Sequence, residues 1–158
     1  METTHVLVIS DVQDEIDAIR AALTTGPDAT QHYHIDITED YAEALRALVR
    51  NRHDVVLVNY HLPGVNMTGI ELLQRANAGG CATPVIILST LPDEDIAWAA
   101  DDAGAACYLN THLDLNERTL KLAIRHSVHY FHKLQEMQEL LVNVQKQLAE
   151  LGRKFRRA

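Results

Sequence analysis

Residues 55–64 read VVLVNYHLPG, and this stretch decides the fold. Four apolar residues precede Asn59, and Pro63 and Gly64 then open a loop. A short apolar run that is bounded by turn residues is typical of a strand buried on both faces, as in a parallel sheet. The stretch therefore predicts a central strand that places the polar side chain of Asn59 at the rim of the sheet.

Similar apolar runs occur at four other places, and each is followed by a segment with helical spacing. The predicted strands are 5–10, 32–37, 54–59, 84–89 and 105–109. The predicted helices are 12–23, 39–50, 68–78, 92–104 and a long last one that begins after Asp114 or Asn116. Alternating strands and helices imply right-handed crossovers and a parallel sheet covered on both faces. The predicted fold class is α/β, a flavodoxin-like (βα)5 three-layer sandwich with a central five-stranded parallel sheet and an extended C-terminal helix.

Charge and composition exclude several classes of protein. The net charge of −8 is unevenly distributed, since residues 1–115 carry 18 Asp and Glu against 5 Lys and Arg, whereas residues 116–158 carry 4 against 9. An acidic N-terminal part does not suit binding to nucleic acid. No apolar run approaches the ~20 residues of a membrane span, and Cys81 and Cys107 match no metal or redox spacing. We expect a cytoplasmic protein with free thiols and with neither a membrane nor a nucleic-acid partner.

Polar residues follow the predicted strands at the edge where such sheets place their functional crevice. They are Ser10, Asp11, Asn59, Ser89, Thr90, Asn110 and Thr111. In the second predicted strand, His32 and His34 alternate and so lie on one face, and they are interpreted as structural or edge positions.

The chain resembles the receiver domain of two-component response regulators over about residues 4–130. The segments that carry the resemblance are VLVISD (6–11), VLVNYHLPG (56–64) followed by TGIELL (68–73), PVIILST (84–90) and GAACYL (104–109). In that family an acidic pair and an Asp after the third strand hold Mg²⁺, and this Asp accepts a phosphoryl group whose oxygens contact a Ser or Thr and a Lys. The resemblance places the acidic pair on Ser10 and Asp11, the phosphoacceptor on Asn59, the hydroxyl on Ser89, the Lys on Thr111 and a switch aromatic on Tyr108.

Three of these positions have changed chemical type, so the resemblance implies a degenerate pocket, or pseudo-receiver. The amide of Asn59 cannot act as the anionic nucleophile that forms an acyl phosphate. The site keeps one carboxylate, Asp11, as a weak metal candidate, so we expect Mg²⁺ binding to be weak or absent and no cofactor. Thr111 supplies no cation. We expect no catalytic residue, and we expect the amide of Asn59 to bond to Asp11, Ser89 or Thr111.

The last helix is predicted to run for roughly 35 to 40 residues, because only Gly152 and no Pro follows its start. Its first half must cover the sheet, for which Ile124, Val128 and Phe131 are suited. The second half carries apolar residues at spacings of three and four, the a/d pattern of a coiled coil. These seam residues are Leu134, Met137, Leu141, Val144, Leu148, Leu151 and Phe155. We therefore expect a receiver-like domain over 1–131, a coiled-coil extension over 132–158 and a homodimer formed through that extension.

The sequence thus favours a non-enzymatic, phosphorylation-independent receiver-like module for dimerisation and protein–protein interaction in two-component signal transduction. It would form the N-terminal regulatory part of a larger regulator or a single-domain adaptor, with a histidine kinase or an output domain as partner. One alternative is a working phosphorelay regulator that uses Asp11 or Asp14 as acceptor. Another is a flavodoxin-like domain that binds a small ligand, which the acidic SDVQDE segment (10–15) disfavours for anions.

Overall fold

The computed structural model describes residues 2–26, 31–62, 64, 66–91 and 93–156. Its strands are β1 (Glu2–Ile9), β2 (Gln31–Thr38), β3 (Val55–Asn59), β4 (His61–Leu62), β5 (Met67–Thr68), β6 (Val85–Ser89) and β7 (Cys107–Asn110). Its helices are α1 (Gln13–Thr24), α2 (Tyr41–Arg50), α3 (Gly69–Ala78), α4 (Glu94–Asp102) and α5 (Glu117–Arg156). The five predicted strands and five predicted helices are all present. Pro63 and Pro92, which marked a loop and a helix start, lie outside the described residues.

Five strands form one parallel sheet in the order β2-β1-β3-β6-β7. Each pair in this order runs parallel, from β1 with β2 to β6 with β7. Successive side chains of a strand point to opposite faces, so the sheet sends Val6 and Val8 to one side and Leu7 and Ile9 to the other. The predicted α/β fold class is confirmed.

Two apolar clusters cover the two faces of this sheet and make up the core. One cluster joins the sheet to α2, α3 and α4. The other joins it to α1 and to the first turns of α5 through Leu120 and Ile124. Because β3 and β6 are buried on both faces, every residue of these two strands is buried, which explains the unbroken apolar runs in the sequence.

Side-chain caps set the starts of the helices. Thr68 accepts a bond from the backbone N–H of Glu71 and the Glu71 side chain accepts one from Thr68, which is a capping box for α3. Of the two caps proposed for the long last helix, Asn116 is the correct one, since its side chain accepts from the N–H of Thr119 at 2.9 Å. Asp114 instead accepts from the N–H of Asn110. The helix α5 is 40 residues long.

The structure departs from the prediction at two places in the sheet layer. β1 begins at Glu2 instead of at residue 5, because it pairs with β2 along all eight residues. Directly after β3, the short strands β4 and β5 form an antiparallel pair that the sequence did not indicate. This hairpin contains Gly64, whose φ of 84° only glycine adopts readily.

The chain divides into two compact units. Residues up to Val128 form the first unit, which contains the sheet and the beginning of α5, and residues from His129 onward form the second. The predicted domain boundary after residue 131 stays a prediction. In the second unit, the seven seam residues are all exposed, from Leu134 at 37% to Phe155 at 79%.

Candidate functional site

A cluster of polar side chains, which we call the pocket around Asn59, lies at the carboxyl ends of four neighbouring strands. Ser10 follows β1, Asn59 ends β3, Ser89 ends β6 and Thr111 follows β7. Strand pairing brings them together, since Asn59 is in register with Leu88 and the N–H of Thr111 donates to the Ser89 carbonyl at 2.9 Å. Ser10, Asn59 and Ser89 are buried. Asp11 is exposed.

The amide of Asn59 bonds to a residue that sequence analysis did not select. Its Nδ2 donates to Glu15 Oε2 at 2.9 Å, and the hydroxyl of Ser10 donates to the same oxygen at 3.3 Å. The expectation that Asn59 bonds to Asp11, Ser89 or Thr111 is therefore wrong. The physical reason is placement: Glu15 lies in the first turn of α1 and is turned inward. An amide donor satisfies this buried carboxylate, which a carboxylate at position 59 could not do.

Glu15 is the site residue that sequence reasoning missed. Burial raises the pKa of Glu15, and the charge of Asp11 acts in the same sense. The hydroxyl of Ser10 and the charge of His112 limit this rise in pKa, and the Asn59 amide, as a donor to the ionised form, acts with them. The pocket region thus contains two carboxylates, not the single one expected. The sequence places Glu15 in the first turn of α1, but no local pattern shows that its side chain is turned inward.

Thr111 occupies the position that the resemblance to receiver domains assigned to a Lys, so this position carries no strong cation in this chain. The Thr111 hydroxyl is buried and has no hydrogen-bond partner among the described residues. His112, the next residue, is the basic group whose charge acts on Glu15, and its N–H is fixed by the side chain of Asn110 at 2.9 Å. A histidine, which sequence analysis did not select, therefore lies beside the position assigned to the Lys.

The backbone of Leu91 connects Ser89 to Tyr108. Leu91 N–H donates to the Ser89 hydroxyl oxygen at 3.1 Å, and the Tyr108 hydroxyl donates to the Leu91 carbonyl at 2.8 Å. Both polar side chains thus hold one conformation of the loop between β6 and α4. The end of β6 and this loop are therefore joined by a hydrogen bond.

Gly69 lets the loop after β3 close against the pocket. A Cβ atom at Gly69 would lie 2.6 Å from the backbone oxygen of Asn59, which no real side chain tolerates. The N–H of Gly69 also donates to the carbonyl of Tyr60 at 2.7 Å. Only glycine permits this approach, and it fixes the backbone that carries Asn59.

The donor set of the pocket does not fit a magnesium ion. Mg²⁺ requires several hard oxygen ligands, whereas Ser10 and Asn59 both direct hydrogens to Glu15 Oε2. In the part of the chain that the structure describes, no group of three or more His, Cys, Asp or Glu side chains is placed to hold a metal.

Cys81 and Cys107 are free, and burial raises the pKa of both thiols. No helix within the described ranges is long and apolar enough to cross a membrane.

Comparisons with known proteins agree on one family. Residues 6–125 match the family model described as the response regulator receiver domain. The chain is 26% identical over 121 residues to the transcriptional regulatory protein DltR of Streptococcus agalactiae serotype III (strain NEM316), an alignment that covers 77% of this chain and 51% of DltR. The chain thus spans about half the length of the curated relative.

Solved structures show the same fold. The signal receiver domain of a modulated diguanylate cyclase from Desulfovibrio desulfuricans G20 is 24% identical with a TM-score of 0.66, covering 85% of this chain and 99% of that one. A CheY-like receiver domain from Methanospirillum hungatei JF-1 is 20% identical with a TM-score of 0.67, covering 84% and 98%.

Proposed function

The chain belongs to the response regulator receiver domain family, and we propose that it acts there as a pseudo-receiver, a non-enzymatic signalling module that works without phosphorylation. The observation that best supports the proposal is the bond from Asn59 Nδ2 to Glu15 Oε2 at 2.9 Å. In place of a free carboxylate, the end of β3 presents an amide that is already engaged. The degenerate pocket then consists of Ser10, Asp11, Asn59, Ser89 and Thr111, with Glu15 added by the structure.

The chemical argument rests on what an amide can do. Forming an acyl phosphate requires an oxygen nucleophile with a negative charge, and the amide of Asn59 carries none. Its nitrogen is a donor to Glu15 and has no lone pair available for attack. The pocket lacks a phosphoacceptor, a fitting metal site and a strong cation. Its polar side chains bond to one another and not to a metal ion or a phosphoryl group. Its role is then to hold loops in one arrangement for docking.

Intact-mass spectrometry tests this directly. The full chain is incubated with acetyl phosphate and Mg²⁺ and weighed, beside a conventional receiver domain that shows the reagent to be active. We expect no change in mass for this chain. A stoichiometric gain of one phosphoryl group would overturn the proposal, and peptide mapping would then show whether Asp11 or Asp14, both exposed on the N-terminal side of α1, is the acceptor.

The second part of the proposal is a parallel homodimer formed through the coiled-coil seam. The seven seam residues follow a/d spacing in one continuous helix and are all exposed. An apolar stripe of this length is typical of an interaction surface. Gln138, Gln145 and Gln147 flank the seam with little charge, so we expect weak selectivity among coiled-coil partners.

Sedimentation of seam variants tests the dimer. In the variant L141E/L148E, four leucines leave the interface of a dimer, which weakens it by at least about 6 kcal/mol, roughly four decades in Kd. The matched control N143E/A149E adds the same charge away from the seam. We expect the wild type and the control to be dimers and L141E/L148E to be a monomer; a monomeric wild type would refute this part.

We further propose that the chain is a cytoplasmic regulatory part of a larger two-component regulator, with a histidine kinase or an output domain as partner. Support comes from the family and from curated relatives about twice the length of the match. A pull-down of the natural full-length protein that recovers neither class of partner would count against it.

A further inference from the structure

A polar cleft lies between β2 and α2, away from the pocket around Asn59. In the edge strand β2, the side chains of Tyr33, Ile35 and Ile37 join the core on one face. On the other face, His34, Asp36 and Thr38 point toward α2. Since polar side chains do not pack as a core there, a cleft of about 600 Å³ remains, a size typical of small-molecule sites.

Three exposed arginines line this cleft although the surrounding unit is acidic. Residues 1–115 contain only five Lys and Arg, and three of the five, Arg46, Arg50 and Arg52, line the cleft. Arg46 and Arg50 lie one turn apart on α2, and Arg52 follows in the loop before β3. Among the described residues, none of these three guanidinium groups forms an ion pair or a side-chain hydrogen bond.

The acidic groups of the cleft are already engaged by other side chains. The carboxylate of Asp36 accepts from His53 Nε2 at 2.9 Å and from His34 Nε2 at 3.3 Å. The bond from His53 holds the pKa of Asp36 below its ordinary range. Glu43 accepts from the Thr38 hydroxyl at 3.1 Å. The acids therefore face histidine and threonine, and the three arginines have no ion-pair partner within the described ranges of the chain.

From this arrangement we propose that the cleft between β2 and α2 binds a small molecule that carries two or more phosphate groups. Guanidinium groups match phosphate oxygens in geometry and bind them through paired N–H donors. The imidazole of His5, which also lines the cleft, offers one further ring N–H donor, whereas those of His34 and His53 are used by Asp36. The proposal goes beyond the pseudo-receiver function, because it rests on no residue of the Asn59 pocket.

Calorimetric titration of the full chain with inorganic tripolyphosphate, at constant ionic strength near that of the cell, tests the proposal. We expect saturable binding at one site, weakened by at least about tenfold in R46Q/R50Q because paired guanidinium contacts are lost. The matched control R20Q/R75Q removes two exposed arginines from other helices of the same unit and should bind within twofold of the wild type. D36N, which removes a negative charge from the cleft, should bind more tightly.

Several results would overturn the inference. The first three are an absence of saturable binding, an equal loss of affinity in both double variants, and weaker binding by D36N. The fourth is binding of citrate as tight as that of tripolyphosphate, which would show that the cleft recognises carboxylate groups and not phosphate groups. If R46Q/R50Q fails to fold, R52Q makes the same test from a loop, with at least a threefold loss expected. Phosphorylation of the chain by acetyl phosphate would refute the pseudo-receiver proposal and leave this one standing.

Discussion

Replacing Asn59 with aspartate tests the account of the pocket most sharply. In N59D, an acceptor oxygen replaces the donor that lies 2.9 Å from Glu15 Oε2. Two unit charges at that distance repel by about 6 kcal/mol at an effective dielectric constant of 20. The pair avoids most of this repulsion by binding one proton. In the unfolded chain a carboxyl such as Glu15 has its ordinary pKa of 4.5 and is ionised at pH 7, so binding that proton on folding costs about 3 kcal/mol. We therefore expect N59D to lower the free energy of unfolding by about 3 kcal/mol at pH 7.

The same reasoning fixes the pH dependence of the loss. At pH 5 the proton costs less than about 1 kcal/mol, so most of the stability of N59D should return. The control N59A removes the amide without adding charge, and it should cost about 1–3 kcal/mol at both pH values, because the buried carboxylate loses a donor.

Urea unfolding followed by circular dichroism at pH 7 and pH 5 measures these differences. A loss in N59D that does not change between the two pH values, or no loss at all, would refute the reasoning. Either result would mean that Asn59 and Glu15 do not share a buried hydrogen bond.

Three further predictions concern neighbouring groups. Because the folded-state pKa of Glu15 is raised above 4.5, its stabilising contribution is complete below pH 4.5 and is lost as the pH rises through the raised value; E15Q should therefore gain stability over the wild type as the pH rises from 4 to 8, and parallel urea midpoints would contradict this. In G69A, the new methyl group would lie 2.6 Å from the Asn59 carbonyl oxygen, so thermal melting should show a loss of about 1–3 kcal/mol, whereas G152A, where nothing lies within 4 Å, should lose none. Y108F removes the donor to the Leu91 carbonyl and should lower the unfolding free energy by about 1 kcal/mol; a variant as stable as the wild type would show that this bond contributes nothing.

The fold was predictable from the sequence because its signals are local. Apolar runs such as 55–58 and helical spacing in the segments between them reflect burial by the sheet, and strand alternation with helices fixes the parallel topology. The start of the long helix was narrowed to two residues by the same means, and Asn116 proved to be its cap. The pair β4–β5 was missed, because two-residue strands leave no periodic pattern.

The site was predictable in part, because its position follows from strand ends while its bonds do not. The ends of four strands identified Ser10, Asn59, Ser89 and Thr111. Glu15 was missed because a glutamate in the first turn of a helix is normally explained by its favourable interaction with the helix dipole. Nothing in the local sequence shows that its side chain turns inward. Its partner Asn59 lies 44 residues away, a separation that only the folded sheet closes. The three arginines beside β2 are close in sequence, but nothing local shows that β2 lies opposite them and forms a cleft with them.

The most direct test of the central claim is phosphate-affinity gel electrophoresis of the natural protein taken from its own cells, with and without hydroxylamine. We predict one band that hydroxylamine leaves unchanged, since the amide at the end of β3 forms no acyl phosphate. A second, slower band that hydroxylamine removes would contradict the account.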